Sequence, residues 1–420
     1  MRIVYLNPCG QLGGAETSLR ELLASVRAAE PEWELSLILG EDGPLATQAR
    51  EIGVKVMVLA FPPALAKLGD ARDGFLATLR SLLKAAWATA TYSRRLARAI
   101  EPTSADIIHT NGFKMHLLGA WARPRHTPLV WHIHDYVRSR RLVSRLLRLF
   151  SGACTMAITN SQSVAADLSA LLPDLRVVTI YNAIDLKRFA PVGSKLDLDA
   201  RAGLAPAAAG TVRVGLVATL ARWKGHRVFL EALSRLASEM PIRGYVIGGP
   251  IYQTDGSQWS LAELKQEANR LGLAGVVGFT GFVDDAAAAM RSLDIVVHAS
   301  TEPEPFGMVI IEAMACEKAL IASHAGGASE LFIDGEDALA HRPGDAETLA
   351  SEIRRLAGDT ELRQRLGKAG RAKTERLFHG SRLANELLSA YRGLAGRSGG
   401  ELGHVQPGSV MQSSARTLTK

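Results

Sequence analysis

Cysteine, aromatic side chains and long apolar runs are all scarce in this chain of 420 residues. The three cysteines, Cys9, Cys154 and Cys316, are far apart and form no C-x-x-C pair. That argues against a disulfide framework and against a structural zinc site, and it fits a reducing compartment. No apolar run reaches the roughly 18 residues a spanning helix needs. The opening, Met1 to Pro8, has one arginine and a very short apolar run, so it reads as a first β-strand and not as a signal peptide. A cytoplasmic location is the expectation, with a possible peripheral place on the inner face of the cell membrane. Aromatic content is only 6%, and alanine is abundant, so helices are expected to pack on sheets through small side chains.

What is present is ordinary for a folded protein. The sequence is 47% hydrophobic and 22% charged, and its length allows two domains with their own cores. The formal net charge is +7, and it is unevenly placed. Residues 80–150 carry 13 Lys/Arg against 3 Asp/Glu, so an anionic partner or a merely solubilising basic face both fit the sign.

The pattern is that of repeated α/β units. Arg2–Asn7 is a short strand, Pro-Cys-Gly-Gln-Leu-Gly-Gly a loop, and Leu19, Leu22, Leu23 and Val26 recur at helix spacing. Further strands are expected at Leu35–Leu39, Val54–Leu59, Asp106–His109, Leu129–Ile133, Met156–Thr159 and Val177–Tyr181. They are apolar on both faces, as buried parallel strands are, which gives a doubly wound domain over residues 1–185. A second domain over residues 186–380 has strands at Val212–Val217, Tyr245–Ile247, Val276–Gly278, Ile295–His298 and Ala319–Ala322. The join lies near residues 185–210, with the uncharged stretch 204–210 as a linker or surface loop. A last helix, Ser381–Arg392 within residues 381–395, has Ser381 as its cap. Residues 396–420 read as a disordered tail.

Open α/β sheets bind ligands beyond the carboxyl ends of their strands. Three loops stand there. Gly13-Gly14-Ala15-Glu16 puts glycines at a helix N-terminus, where backbone N–H groups can meet phosphate or simply form a tight turn. The run Ser300–Met308, with two prolines and Gly307, holds Glu304 in a loop and leads into a helix carrying Glu312. Two carboxylates at that spacing can accept protons from hydroxyls at two points of one ligand. Ala325-Gly326-Gly327-Ala328-Ser329-Glu330 is a second glycine turn beside the same loop. Arg222 and Lys224, after Val212–Val217, can balance a diphosphate. On the first domain, His134 and His109 stand at strand ends, and His134 is the stronger candidate as a neutral partner or a base. His132 and His134 are expected on opposite faces. Asp284-Asp285 reads as a hairpin-like acidic turn, not as a metal site.

These residues together carry a resemblance. Glu304-Pro305-Phe306-Gly307 followed by Glu312 resembles the E-x7-E pattern of the family 4 retaining glycosyltransferases. The stretches Ala325–Glu330, Trp223-Lys224-Gly225-His226, Gly13–Glu16 and Tyr181–Asp185 resemble that family's other signatures, over about residues 1–390. The resemblance implies the GT-B fold, two Rossmann-like domains facing across a cleft, and transfer from a nucleoside diphosphate sugar with retention. It implies that Glu312 binds ribose hydroxyls, Glu304 the transferred sugar, and Lys224 the diphosphate. Phe306, Gly307 and Met308 would offer backbone contacts, and His134 and Gly14 would face the sugar and phosphates. Gly13, Gly326, Gly327 and Glu330 belong to the same nucleotide-sugar loops. The last helix would cross back onto the first domain. Where many members have Gly-Arg this chain has Ala218-Thr219, and Arg222 is the substitute phosphate ligand. Asn182-Ala183 replaces the usual Asn-Gly. No permanently bound cofactor and no metal are expected.

The acceptor is expected to be a glycan or lipid-linked glycan of surface polysaccharide or lipopolysaccharide assembly. Arg138–Phe150 is a basic amphipathic stretch, with Leu142, Leu146 and Leu149 on one side, and Trp87, Tyr92, Arg94, Arg95 and Arg98 add to the basic region. Docking on anionic lipid and a simple solvated face are both open. Nucleic acid is not expected, because no aromatics are interleaved in the Arg138–Arg148 stretch. A nucleotide-sugar epimerase or phosphorylase of the same fold, and a non-catalytic nucleotide- or nucleic-acid-binding protein, are the rival readings.

Overall fold

The computed structural model describes residues 1–62, 75–249 and 257–395, so the tail expected beyond residue 395 lies outside the described residues, as do the side chains of residues 75–86. Two parallel sheets form. The first contains β1 (Arg2–Asn7), β2 (Glu34–Leu39), β3 (Lys55–Val58), β4 (Ile107–Asn111), β5 (Leu129–Ile133), β6 (Met156–Thr159) and β7 (Val177–Thr179), in the order β3-β2-β1-β4-β5-β6-β7. The second contains β8 (Val212–Val217), β9 (Ile242–Ile247), β10 (Val277–Gly281), β11 (Ile295–His298), β12 (Ala319–Ser323) and β13 (Leu339–His341), in the order β10-β9-β8-β11-β12-β13. The strand order reverses direction at β1/β4 and at β8/β11, and these switch points open crevices at the strand ends.

Both faces of each sheet are covered. Along β1, Ile3 and Tyr5 join one core cluster while Val4 and Leu6 join another, the period-two alternation of a strand. The first cluster contains Leu19, Leu22 and Leu23 of the Gly14–Ala29 helix together with Leu383, Leu387 and Tyr391 of the Gly380–Ala395 helix. The last helix therefore packs into the core of the first sheet. Each of its buried leucines contributes roughly 1.5–3 kcal/mol by leaving water. Arg382 ties this helix to the inter-domain crossing through the carbonyls of Tyr181 (2.7 Å) and Asn182 (3.0 Å).

Several local expectations change. β4 runs on to Asn111, so His109 lies inside the strand and is fully buried. β13 was not anticipated, because a three-residue strand is too short to show alternation. Asp285 is no hairpin residue: it caps the Ala286–Arg291 helix by accepting from Ala288 N at 3.0 Å. Ser381 is not the cap of the last helix, which begins at Gly380; the His379 imidazole Nδ1 accepts from Arg382 N at 3.2 Å instead. Ala183 does not adopt positive φ, so the crossing turn is not a glycine-type turn.

Candidate active site

A cavity of about 650 Å³ lies between the strand ends of the two sheets. Gly14, His134 and Tyr136 line it from the first domain, and Lys224, Glu304 and Glu312 from the second. The backbone run Phe306–Val309, which opens the Met308–Ala315 helix, lines it as well. Gly307 takes φ +99° there, a left-handed conformation that suits glycine.

Glu304 is buried between three partners. Its Oε1 accepts from Lys224 Nζ at 2.5 Å, and its Oε2 meets His298 Nε2 at 2.6 Å and Ser300 Oγ at 2.7 Å. Burial alone would raise this carboxyl, but the Lys224 ammonium and His298 outweigh it and hold the pKa well below the usual range. Glu304 is thus an ionised carboxylate at neutral pH. Sequence reasoning overlooked His298 and Ser300, although both lie at the end of β11, where ligand-facing residues are sought.

Glu312, eight residues on in sequence, differs in kind. Burial raises its pKa to about 7, with Arg188 pulling it down and Glu21 adding to the rise. Among the described residues no hydrogen-bond donor reaches its carboxylate. His134 faces these acids from the first domain. Burial lowers its pKa to about 4, so the ring is neutral at pH 7. His132 and His134 do not lie on opposite faces: their ring centroids are 4.0 Å apart, because residues two apart in an extended chain share a face. His109 instead packs away from the cavity, with Tyr391 Oη at 2.7 Å on one ring nitrogen and His132 at 3.2 Å on the other.

The glycine turn 326–327 shapes the site from behind. Gly326 pairs with Glu304 in a parallel bridge. A Cβ on Gly327 would stand 1.9 Å from Pro305 O, and one on Gly326 would stand 2.5 Å from Tyr136 Oη. Only glycine permits this approach. Tyr136 in turn donates to Glu304 O at 3.3 Å and takes a proton from Gly327 N at 3.2 Å, so a first-domain side chain supports the second-domain loop. Glu330 does not line the cavity. Its carboxylate accepts from Gln162 N (2.8 Å), Ser163 N (2.7 Å) and Tyr181 Oη (2.9 Å), which clamps it onto the N-terminus of the Gln162–Leu171 helix.

Two further residues stand apart from the cavity. Gly13 N is already engaged by Glu16 at 3.2 Å. Arg222 lies over the Trp259 ring at 3.8 Å and bonds Glu263 at 3.2 Å. Ala218 and Thr219, in the place of the usual Gly-Arg, do line the cavity. Among the described residues no group of three or more His, Cys, Asp or Glu could hold a metal ion.

The comparisons agree with this fold. Residues 12–188 match the family described as Glycosyltransferase Family 4, and residues 208–373 match Glycosyl transferases group 1. The crystal structure of Anabaena HepE in complex with UDP-glucose superposes with a TM-score of 0.73 at 26% identity, covering 94% of this chain and 100% of that one. D-inositol 3-phosphate glycosyltransferase 2 of Catenulispora acidiphila is 32% identical over 281 residues, 60% of this chain and 63% of that protein. The lipopolysaccharide core biosynthesis glycosyltransferase LpsE of Rhizobium meliloti is 31% identical over 147 residues, 35% of this chain and 40% of that protein. The alignments with these two curated relatives thus span less than two thirds of their length.

Proposed function

We propose a reaction from the premise that the chain belongs to the GT-B-fold glycosyltransferases of family 4 and group 1: transfer of a sugar from a nucleoside diphosphate sugar to a hydroxyl of a glycan or lipid-linked glycan, with retention at the anomeric carbon. The carrying observation is the pairing of two unlike carboxylates across one cavity, Glu304 ionised and Glu312 poised near neutrality, with neutral His134 opposite.

The donor diphosphate would lie at the first turn of the Met308–Ala315 helix and draw Lys224 to it. The helix N–H groups and the ammonium stabilise charge that grows on the β-phosphate as its bond to C1 breaks. Glu304 accepts hydroxyl protons of the sugar, and Glu312 those of the ribose. The acceptor oxygen bonds to C1 as its proton passes to the departing β-phosphate oxygen. Neutral His134 adds no positive charge beside a sugar carbon that is itself becoming positive. UDP-glucose is the first donor to try, since the Anabaena protein has been seen with it.

A lipid-linked acceptor is supported by the outer face of the first domain. The Arg141–Phe150 helix exposes Leu142 (70%) and Leu149 (75%) beside Arg141, Arg145 and Arg148. Trp121, 55% exposed, packs edge-on against Phe150. Tyr92 does not join this face; it is buried and bonds Leu59 O at 2.8 Å. No helix among the described residues is long and apolar enough to cross a membrane, so the contact would be a shallow one with anionic headgroups. The Rhizobium relative's role in lipopolysaccharide core synthesis fits such an acceptor.

Release of UDP from UDP-glucose by wild type and by Glu304→Gln tests the reading. Turnover should fall at least about a hundredfold in the variant while UDP affinity stays within about threefold, since a sugar-side contact made in the transition state is lost. Equal turnover in both proteins would refute it.

A further inference from the structure

Beside the cavity, a hydrogen-bond relay runs between the ends of β1 and β4 and reaches His134. Asn7 ends β1 and Asn111 ends β4, and both side chains are buried. Asn7 Nδ2 donates to Cys9 O at 2.5 Å. A backbone carbonyl can only accept, so the Asn7 amide has one possible orientation, with Oδ1 turned the other way. That oxygen takes the proton of Asn111 Nδ2 at 2.6 Å. Asn111 Oδ1 is then turned to His134 Nε2, with which it is hydrogen-bonded. An amide oxygen needs a donor, so Nε2 carries the proton. The other ring nitrogen, Nδ1, has no hydrogen-bond partner among the described residues and is not shut off from the cavity that His134 lines. His132 backs the ring at 4.0 Å and fixes its plane.

We propose that Asn111, held by Asn7, is a positioning residue that fixes His134 as the Nε2–H tautomer and turns its Nδ1 lone pair toward a hydroxyl of the transferred sugar. The identity of that hydroxyl rests on the sugar-transfer reading; the tautomer does not. Burial keeps the ring neutral near pH 7, so the lone pair is present under working conditions. The titratable and charged groups about it are His132, His109 and His116 in the core, Asp135 paired with Arg140, and Glu312 and Glu304 with Lys224 across the cavity. The relay begins at Cys9 O, in the loop that follows β1. The loop after β1 and the histidine therefore share one chain of hydrogen bonds.

Four proteins decide the matter: wild type, Asn111→Asp, Asn111→Leu and, for assignment, His134→Gln. In long-range ¹H–¹⁵N spectra of the wild type, with His134→Gln to assign the signal, His134 should show a protonated Nε2 and a bare Nδ1. Asn111→Asp keeps an acceptor at Nε2 but adds charge, so it should raise the His134 pKa by one unit or more. The acid limb of its kcat/KM profile for UDP-glucose should move up by the same amount, although the donor to Asn7 Oδ1 is lost with the amide. Asn111→Leu should lose about tenfold or more at every pH, while UDP affinity changes less than twofold. A protonated Nδ1 in wild type, or an unmoved His134 titration in Asn111→Asp, overturns the proposal. Should wild type not turn over UDP-glucose, the two spectral readouts still decide the tautomer and only the transfer reading falls. Should Asn111→Leu fail to fold, wild type and Asn111→Asp suffice.

Discussion

Glu312 makes the proposed donor site a titrating one, and the size of the effect follows from its pKa of about 7. A ribose diol donates two protons and needs the carboxylate, not the acid. If only the ionised form binds well, affinity follows the ionised fraction, which is about 0.1 at pH 6 and about 0.9 at pH 8. UDP-glucose should therefore bind about tenfold more tightly at pH 8 than at pH 6, about 1.4 kcal/mol. At pH 7 binding should release about half a proton per site, because the diol stabilises the charged form and lowers the pKa of the bound site. Titration calorimetry in two buffers of different ionisation enthalpy measures that proton directly. Glu312→Gln should bind weakly with no pH dependence over this range. The stability effect has the opposite sense. A carboxyl whose native pKa is raised holds its proton better in the folded state, so its contribution is present below about pH 4.5 and is lost as pH rises through 7. Glu312→Gln should then raise the melting temperature at pH 8 and leave it nearly unchanged at pH 5. A wild-type affinity that is flat from pH 6 to 8, with no proton released, would refute the reasoning.

The remaining predictions concern the two surfaces of the first domain. Glu330→Ala removes the acceptor of two backbone N–H groups and of Tyr181 Oη, so the domains should open: solution scattering should give a larger radius of gyration, and the amides of Gln162 and Ser163 should exchange at least about tenfold faster. Unchanged scattering and exchange would mean that Glu330 does not hold the domains. Vesicles containing anionic lipid should carry the protein upward in flotation, and Arg141, Arg145 and Arg148 changed together to glutamate should abolish this, at about 1 kcal/mol for each charge near the surface. Flotation that persists in the triple variant would remove the membrane reading.

The architecture was legible because it depends on pattern. Apolar runs such as Leu129–Ile133 and Ile295–His298, each ending in a glycine or acidic loop, specify a buried parallel sheet whatever their partners. Glu304 was legible as a cavity-lining residue because an irregular, proline-fixed loop at a strand end is costly to build without use, whereas Glu312 and Lys224, which line the same cavity, stood out by their place after a strand and its loop. The roles of other residues depended on orientation, which spacing does not encode. Arg222 is two residues from Lys224, yet it stacks on Trp259. Gly326, Gly327 and Glu330 signalled a special loop correctly, but in the structure their glycines admit close backbone contacts and their acid joins the domains. His298, Asn7 and Asn111 went unnoticed, since an ordinary polar residue at a strand end becomes informative only when its partner is known. His134 stood out while His132 did not, although both rings share one face.

The last helix has a consequence for synthesis. Leu383, Leu387, Tyr391 and their neighbours complete the core that Ile3, Tyr5 and Leu22 begin. A ribosome delivers those first residues long before residues 383–391, so the amino-terminal half waits with an apolar wall uncovered until these have been made. The second half can finish its own sheet earlier than the first. Any stop codon before residue 383 leaves the core of the first sheet unfinished.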